Sequence, residues 1–570
     1  MRWLMPEGSN DEAGTLAAGL GLHPLAARVL VNRGYRTAEA ASAFLADKLA
    51  DLPDPFSMKG MALSAARLAR ALRDREKVTL YGDYDVDGVC STALVSTFLR
   101  GLGASVATYI PNRLGEGYGL NLEAIARIAA DGTRVLVTLD CGITSVAEVA
   151  LANSRGLEVL IVDHHTVPDS MPPALAVLNP HQAGCSYPTK ELCAAGVAFN
   201  LCMGVRKVLR DQGFFQTRPE PNLRTLLDLV ALATVADVVP LVGANRALVK
   251  AGLRELSLAK RPGVRALKEV AGLEGSAEVT AGQVGFRLGP RINAAGRLDD
   301  ASVGLRMLCA ETVEEARPLA ASLDKANAER QGIEAEILEA ALAQAQARPE
   351  VKALVLHAEG WHPGVVGIVA SRVVERFHRP TIIIGVRDGL GRGSARSIEA
   401  FHLFDALSSC AGFLTRFGGH KHAAGLSIEP GQLPGFAKAF EAIAAAQLTD
   451  DDLVPRCRVD ALVTPGELDE ASVTAVHALA PFGRGNPEPV FASRGLTAQP
   501  RVLPGKRPGA AGHLKLSLAA APKLDAIGFG MADKCALTDG LVDLAYQVSI
   551  DEFRGVRRVS LKVKDLKASL

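Results

Sequence analysis

Three short acidic clusters, each placed where an apolar run ends, constrain this chain more than any other feature. They are YGDYDVDG at 81–88, LDCG at 139–142 and VDHH at 162–165. The apolar runs before them, VTL at 78–80, VLVTL at 135–139 and VLIV at 159–162, read as short buried strands of a parallel sheet. Asp83, Asp85, Asp87, Asp140, Asp163, His164 and His165 are therefore expected to crowd one edge of that sheet, the edge at which open α/β folds place their chemistry. Carboxylates gathered there repel one another, and hard divalent cations are the natural compensation.

In DYDVDG the aspartates stand at i, i+2 and i+4. If strand geometry persists, alternate carboxylates point to one side, and Gly88 permits a sharp exit into the helix that follows. The same residues fit the first half of a calcium loop, but position 12 counted from Asp83 is Leu94 rather than glutamate, so that reading fails. Asp140 is suited to bridge two cations through its two oxygens, with ions roughly 3.5–4 Å apart in two-metal hydrolases, and His164 would add a neutral nitrogen. Asp237, in ATVADVVPL at 233–241, is an acid within an apolar helical run. Leaving it buried and unpaired would be costly, so it reads as a metal ligand, a helix cap or one member of a buried ion pair.

A chain of 570 residues exceeds what one hydrophobic core organises. It divides into a helical segment at 1–55 with a covering or accessory role, an α/β unit at 56–310, a long connecting helix at 311–347, a second α/β unit at 350–446 and a β-rich unit at 455–570. The last fits a small closed β-barrel, although its alternation alone does not separate a barrel from a sandwich. The formal net charge is only +1, so a nucleic-acid surface would have to be a local patch. The first residues lack the apolar core of a signal peptide, and the best apolar stretch, 226–242, is short and holds Asp228 and Asp237, so no membrane span is expected. Nine scattered cysteines without a framework fit reduced thiols in a cytoplasmic protein.

Local cations and glycines supply the candidate patch. Arg291, Asn293 and Arg297 lie in a Gly-bounded segment, and arginine's planar donor fork suits phosphate oxygens. An interdomain salt-bridge network would use the same residues. In the second α/β unit, His362 and Arg372 flank a Gly-rich helical start, with Ser371 beside Arg372. Ser394 and Arg396 occupy one Gly-rich turn, and Gly418, Gly419, His420 and His422 another. Closely spaced glycines let backbone amides approach a phosphate, although a plain β-turn needs glycine too. Trp361 reads either as a stacking surface for a base or as a residue buried at a domain seam. In the β-rich unit, Arg501, Lys506, Arg507, Lys515, Arg557, Arg558, Lys562 and Lys564 would guide a strand or form an ordinary solvated face.

Together, DYDVDG, LDCG, VDHH and ATVADVVPL resemble the DHH phosphoesterase superfamily. The later motifs GPRINAAGR (289–297), GWHPGVVGIVASR (360–372), GRGSARS (391–397) and GGHKHAAG (418–425) resemble its RecJ branch of single-strand-specific 5′ to 3′ DNA exonucleases, and the match runs in order from about 80 to 495. This resemblance implies a multidomain α/β protein: a parallel-sheet DHH catalytic domain, a connecting helix, a DHHA1-like substrate-binding domain and a C-terminal OB-like nucleic-acid-binding barrel. It implies metal ligands at Asp83, Asp85, Asp140, His164 and Asp237, with His165 beside the cations or on the scissile phosphate. Asp87 would orient the loop and Asp163 would hold a histidine tautomer. Substrate contacts would come from Arg291, Asn293, Arg297, His362, Ser371, Arg372, Ser394, Arg396, Gly419 and His420. The resemblance further implies two Mg or Mn ions, a monomer acting on single-stranded DNA, and cooperation with single-strand-binding protein and a helicase in recombination and repair. Two rivals stand beside it. One is a DHH phosphoesterase of very short oligonucleotides, cyclic dinucleotides or a phosphate ester, which needs neither the β-rich C-terminus nor the N-terminal helical extension; the other is a catalytically silent relative that binds replication proteins, which the complete acidic set argues against.

Overall fold

The computed structural model describes residues 1–112, 116–117, 119–275, 278–298, 300–505, 511–553 and 556–569. Its first α/β unit is built on five parallel strands in the order Ser105–Tyr109, Lys77–Gly82, Val135–Leu139, Glu158–Val162, Ala176–Leu178. The strands are apolar on both sides because helices cover both faces. Leu80, Val137 and Leu160 pack on one face with the helices Met61–Arg73, Val86–Gly101 and Ala194–Asp211, and Tyr81, Leu136 and Ile161 on the other with Leu122–Ala130 and Val146–Ser154. Strand order reverses around Lys77–Gly82, which has Ser105–Tyr109 on one side and Val135–Leu139 on the other. Such a reversal opens a crevice at the carboxyl ends of the strands.

A helical layer follows, ending in a π-helical turn at Val284–Leu288 that runs directly into the helix Gly289–Leu298. The connecting helix Val313–Gln346 is 34 residues long, about 51 Å at the helical rise. It leads to a mixed five-stranded sheet with strand order Leu414–Gly419, Ala423–Ile428, Leu390–Arg396, Thr381–Arg387, Leu354–Glu359. Only the last two strands of that sheet are parallel to each other.

The C-terminal unit is a seven-stranded sheet whose strands share one apolar core that includes Phe491, Leu516, Leu544 and Leu561. Its outer strands, Ala461–Leu462 and Ala498–Leu503, are not paired with each other. Among the described residues the barrel is therefore partly open, where the alternation suggested a closed one.

The N-terminal segment packs with the C-terminal unit. Ala13, Leu16, Val29, Leu30 and Phe44 belong to the same core as the C-terminal strands, and strand Arg2–Leu4 pairs in parallel with Arg456–Arg458. Arg33 forms a buried pair with Asp460 at 2.7 Å and donates to Asn486 Oδ1 at 2.6 Å. Arg246, fully buried on the first α/β unit, donates to the Leu479 carbonyl at 2.7 Å and lies over the Phe44 ring. The two ends of the chain thus form one body, which is fastened back to the first unit. Among the described residues, no single helix is long and apolar enough to cross a membrane.

Candidate metal centre

Register explains why the acids meet. Gly82 stands opposite Leu139, and Leu139 opposite Val162, so the next residues, Asp83, Asp140 and Asp163, each lie one step beyond a strand end. Their amides continue the ladder: Asp83 N donates to Leu139 O, Asp140 N to Val162 O and Asp163 N to Leu178 O, at 3.0–3.1 Å. Three carboxylates are delivered side by side to the crevice.

Asp85 and Asp87 arrive by a different route from the strand alternation expected of DYDVDG, because the strand has ended at Gly82. Asp85 caps the helix Val86–Gly101, its Oδ1 accepting from Asp87 N and Gly88 N at 2.9 and 3.1 Å. Gly88 is required there, since a Cβ would come within 2.4 Å of the Asp83 carbonyl oxygen. Asp87 turns inward and accepts from the Ala194 and Ala195 amides, at 2.6 and 2.8 Å, at the start of another helix.

The side chains form three overlapping groups: Asp83, Asp85 and Asp140; Asp87, His164 and Asp237; and Asp140, His164 and His165. Within each group the ligand atoms lie within 4.8 Å of one another. His164 Nε2 is 3.2 Å from Asp140 Oδ1 and 3.7 Å from both Asp87 Oδ2 and Asp237 Oδ2. Asp87, assigned from the motif to orienting the loop, therefore also reaches the cluster. Asp163 stands behind it, holding His165 Nδ1 at 2.7 Å and accepting from the Ile143, His164 and His165 amides.

Burial and crowding set the charges. Burial, then the neighbouring Asp85 charge, raises Asp87 to about 7 despite its amide partners. Burial, then Asp87 and Asp85, raises Asp237 to about 8, and the same forces push Asp140 well up. Burial, reinforced by His165, lowers His164 to about 4, so it is a neutral nitrogen donor at pH 7. Burial also pushes His165 down, but the Asp163 hydrogen bond and the surrounding carboxylates outweigh it and lift His165 to about 9. Asp163 itself stays low, because the bonds from His165 and the amides overcome its burial.

These residues fit a divalent-cation centre. Asp140 Oδ1 is buried and accepts no hydrogen bond, although His164 Nε2 lies beside it. An acceptor left so, next to a neutral nitrogen and further carboxylates, has the chemistry of an oxygen-rich Mg or Mn site. Backbone strain supports the placement: Asp140 has φ +67, and Val238, next to Asp237, has φ +58. Non-glycine residues hold such angles where the surrounding structure enforces them, often at functional sites.

The expected substrate residues divide. Asn293 and Arg297 line a cavity of about 480 Å³ between the Gly289–Leu298 helix, the connecting helix and the helix Val366–Phe377, and Arg372 faces them from the last of these. Asn293 Oδ1 accepts from Val86 N in the acidic loop at 3.1 Å, and Arg297 donates to the Gly364 carbonyl at 2.9 Å, joining the two α/β units. Arg291 donates to Asp324 on the connecting helix and to the Arg287 and Val270 carbonyls.

His362 Nδ1 accepts from Gly364 N, and Ser371 Oγ bonds back to Gly367 O. Ser394 accepts from Arg396 at 3.0 Å beneath Gly367, where a Cβ would meet Ser394 Oγ at 2.9 Å, so the two Gly-rich motifs pack on each other. Gly419, at φ +144, closes the hairpin where His420 N bonds Ala423 O. Trp361 is buried against Ile337 and Val366. Lys506 and Arg507 lie outside the described residues. Motif reading missed Phe286 and Arg330, which also line the cavity; the spacing of Phe286 to Pro290, Asn293 and Arg297, a single helical face, was the available signal.

An acidic strand-end cluster, a second α/β unit and an OB-like barrel define a DHH-type phosphoesterase, and family models match each part: DHH family, N-terminal domain (77–234), DHHA1 domain (350–446) and RecJ OB domain (459–565). The single-stranded-DNA-specific exonuclease RecJ of Escherichia coli (strain K12) is 38% identical over 576 residues, covering 98% of this chain and 97% of its own. That of Bacillus subtilis (strain 168) is 37% identical over 579 residues, covering all of this chain and 71% of its own. The crystal structure of RecJ in complex with Mn2+ from Thermus thermophilus superposes with a TM-score of 0.84 at 34% identity, covering 99% of this chain and 79% of that one. The chain belongs to the RecJ family of single-stranded-DNA-specific exonucleases.

Proposed function

We propose that this protein hydrolyses single-stranded DNA from its 5′ end to mononucleotides, using two Mg or Mn ions held by Asp83, Asp85, Asp87, Asp140, His164 and Asp237. The observation that carries the reading is the convergence of these side chains at one sheet edge around Asp140 Oδ1, a buried acceptor without a hydrogen bond. When bound, such ions lower the pKa of an attacking water and offset charge on the phosphoryl oxygens.

The chain's own groups hold and orient. His164 stays neutral and keeps its Nε2 lone pair available. His165, fixed through Nδ1 by Asp163, is placed to donate a hydrogen bond to a phosphoryl oxygen of the scissile group. Asn293 and Arg297 place the strand against the acidic loop, and the Arg297 link to Gly364 keeps the facing units close, which favours one strand over a duplex. The unit at 56–310 performs the chemistry, that at 350–446 holds the substrate, and the barrel at 455–570 guides the strand. By family likeness the protein acts as a cytoplasmic monomer alongside single-strand-binding protein and a helicase in recombination and repair.

The test is a time course on matched single-stranded and duplex DNA, labelled separately at each end, in Mg, Mn and chelator. The expected result is metal-dependent release of the 5′ label as mononucleotide from single strands. Equal attack on blunt duplex, or activity confined to dinucleotides, contradicts it.

A further inference from the structure

Phe286 is the most exposed of the large apolar side chains among the described residues, at 81%. It sits on the π-helical turn Val284–Leu288, a rare element frequently found at functional sites. With Pro290, Asn293 and Arg297 it lines one wall of the 480 Å³ cavity, at the spacing of a single helical face. Opposite stand Ala335 and Leu338 of the connecting helix and Ile368 of the helix Val366–Phe377.

Arg297, Arg330 and Arg372 line the same cavity with one carboxylate, Glu334, and Arg372 pairs with Glu334 and with Glu375 at its rim. Arg330 is 7% exposed, and although it pairs with Glu334 and Asn327, its Nε has no hydrogen-bond partner. Its guanidinium places a positive charge in the cavity wall. Flat apolar surface beside cations suits one ligand chemistry, a planar ring carrying an anion, and the volume is that of a small-ligand cleft. Asn293 connects this cavity directly to the acidic loop through its bond to Val86 N.

We infer that the cavity takes one nucleotide unit of the bound strand, its base stacked on Phe286 and its phosphate held by Arg330 with Arg372. This rests on the proposed exonuclease reading and assigns Phe286 as a positioning residue that touches the base and no reacting atom. Stacking tolerates any base, because every base has a π-face, so the subsite would grip the strand without selecting sequence.

The test compares wild type, F286A, F286L and F286W on oligonucleotides carrying 2-aminopurine at successive positions, with KM and kcat measured in Mn. Stacking on one aromatic supports about 5- to 150-fold in affinity. F286A is therefore expected to raise KM by about that factor, with kcat falling less than KM rises. Wild type should quench 2-aminopurine at one position and F286A should not. F286W should restore both readings and F286L neither, with melting temperatures unchanged throughout because the side chain is exposed. If wild type degrades single strands while F286A matches it in KM and quenching, this inference fails and the exonuclease reading stands. Wild type that degrades no single strand overturns the exonuclease reading itself.

Discussion

His164 Nε2 lies 3.2 Å from Asp140 Oδ1, yet that oxygen accepts no hydrogen bond. A neutral imidazole nitrogen and a buried carboxyl oxygen so close together, with further carboxylates around them, offer a divalent cation a mixed nitrogen and oxygen donor set.

Asp140→Asn keeps the shape of the side chain and removes its charge. Cleavage is expected to fall by more than the about 10- to 100-fold that loss of an outer partner costs a metal site. The metal-free variant should melt no lower than wild type, because a carboxylate destabilised by burial and by its neighbours has been neutralised. Activity assays beside melting curves in chelator check both halves; near-wild-type turnover would remove Asp140 from the centre.

Metal-free protein should lose stability as pH rises from 6.5 to 8. In the folded state Asp87 titrates at about 7, Asp237 at about 8 and His165 at about 9, all above their ordinary values. Over that window the native state binds more protons than the unfolded chain, so the free energy of unfolding declines with pH. His164, lowered from 6.5 to about 4, exerts its opposite effect mainly below pH 6.5 and loses it as pH rises past 7, where the three raised groups outweigh it. Bound Mn should reverse the trend, with a larger gain in Tm at pH 8 than at pH 6.5. A flat metal-free curve would contradict this charge assignment.

The sequence exposed the catalytic edge because a parallel strand buried on both faces is an uninterrupted apolar run, and the residue after each run lands at the carboxyl end. Asp83, Asp140 and Asp163 were legible for that reason. The reach of Asp87 was not, since its orientation depends on the Ala194 and Ala195 amides more than a hundred positions away. The partner of Arg291 was not legible either, because an arginine fork suits Asp324 as well as a phosphate. Nothing in the amphipathic pattern of residues 10–45 says which core receives it, so the merger of the N-terminal helices with the C-terminal strands emerged only from the fold.

That merger gives a third prediction. Arg33→Ala leaves Asp460 buried without its cation and removes the bond to Asn486, which is expected to destabilise the protein by about 3–5 kcal/mol. Urea unfolding measures it. Manganese affinity of the folded fraction should not change, because Arg33 touches none of the clustered acids; a proportional loss of metal binding would show that the two bodies are coupled.

Asp163→Asn tests the support behind the histidines. Asparagine keeps the size but weakens the hold on His165 Nδ1 and on three amides, so manganese affinity is expected to drop about 10- to 100-fold. Titration calorimetry reads the change, and unaltered affinity would mean that Asp163 serves only the backbone turn.

The most direct test of the centre is anomalous diffraction from crystals soaked in manganese. Two peaks are expected within the side chains of Asp83, Asp85, Asp87, Asp140, His164 and Asp237, with Asp140 contacting both. A single peak, or peaks outside this cluster, would contradict the two-ion account.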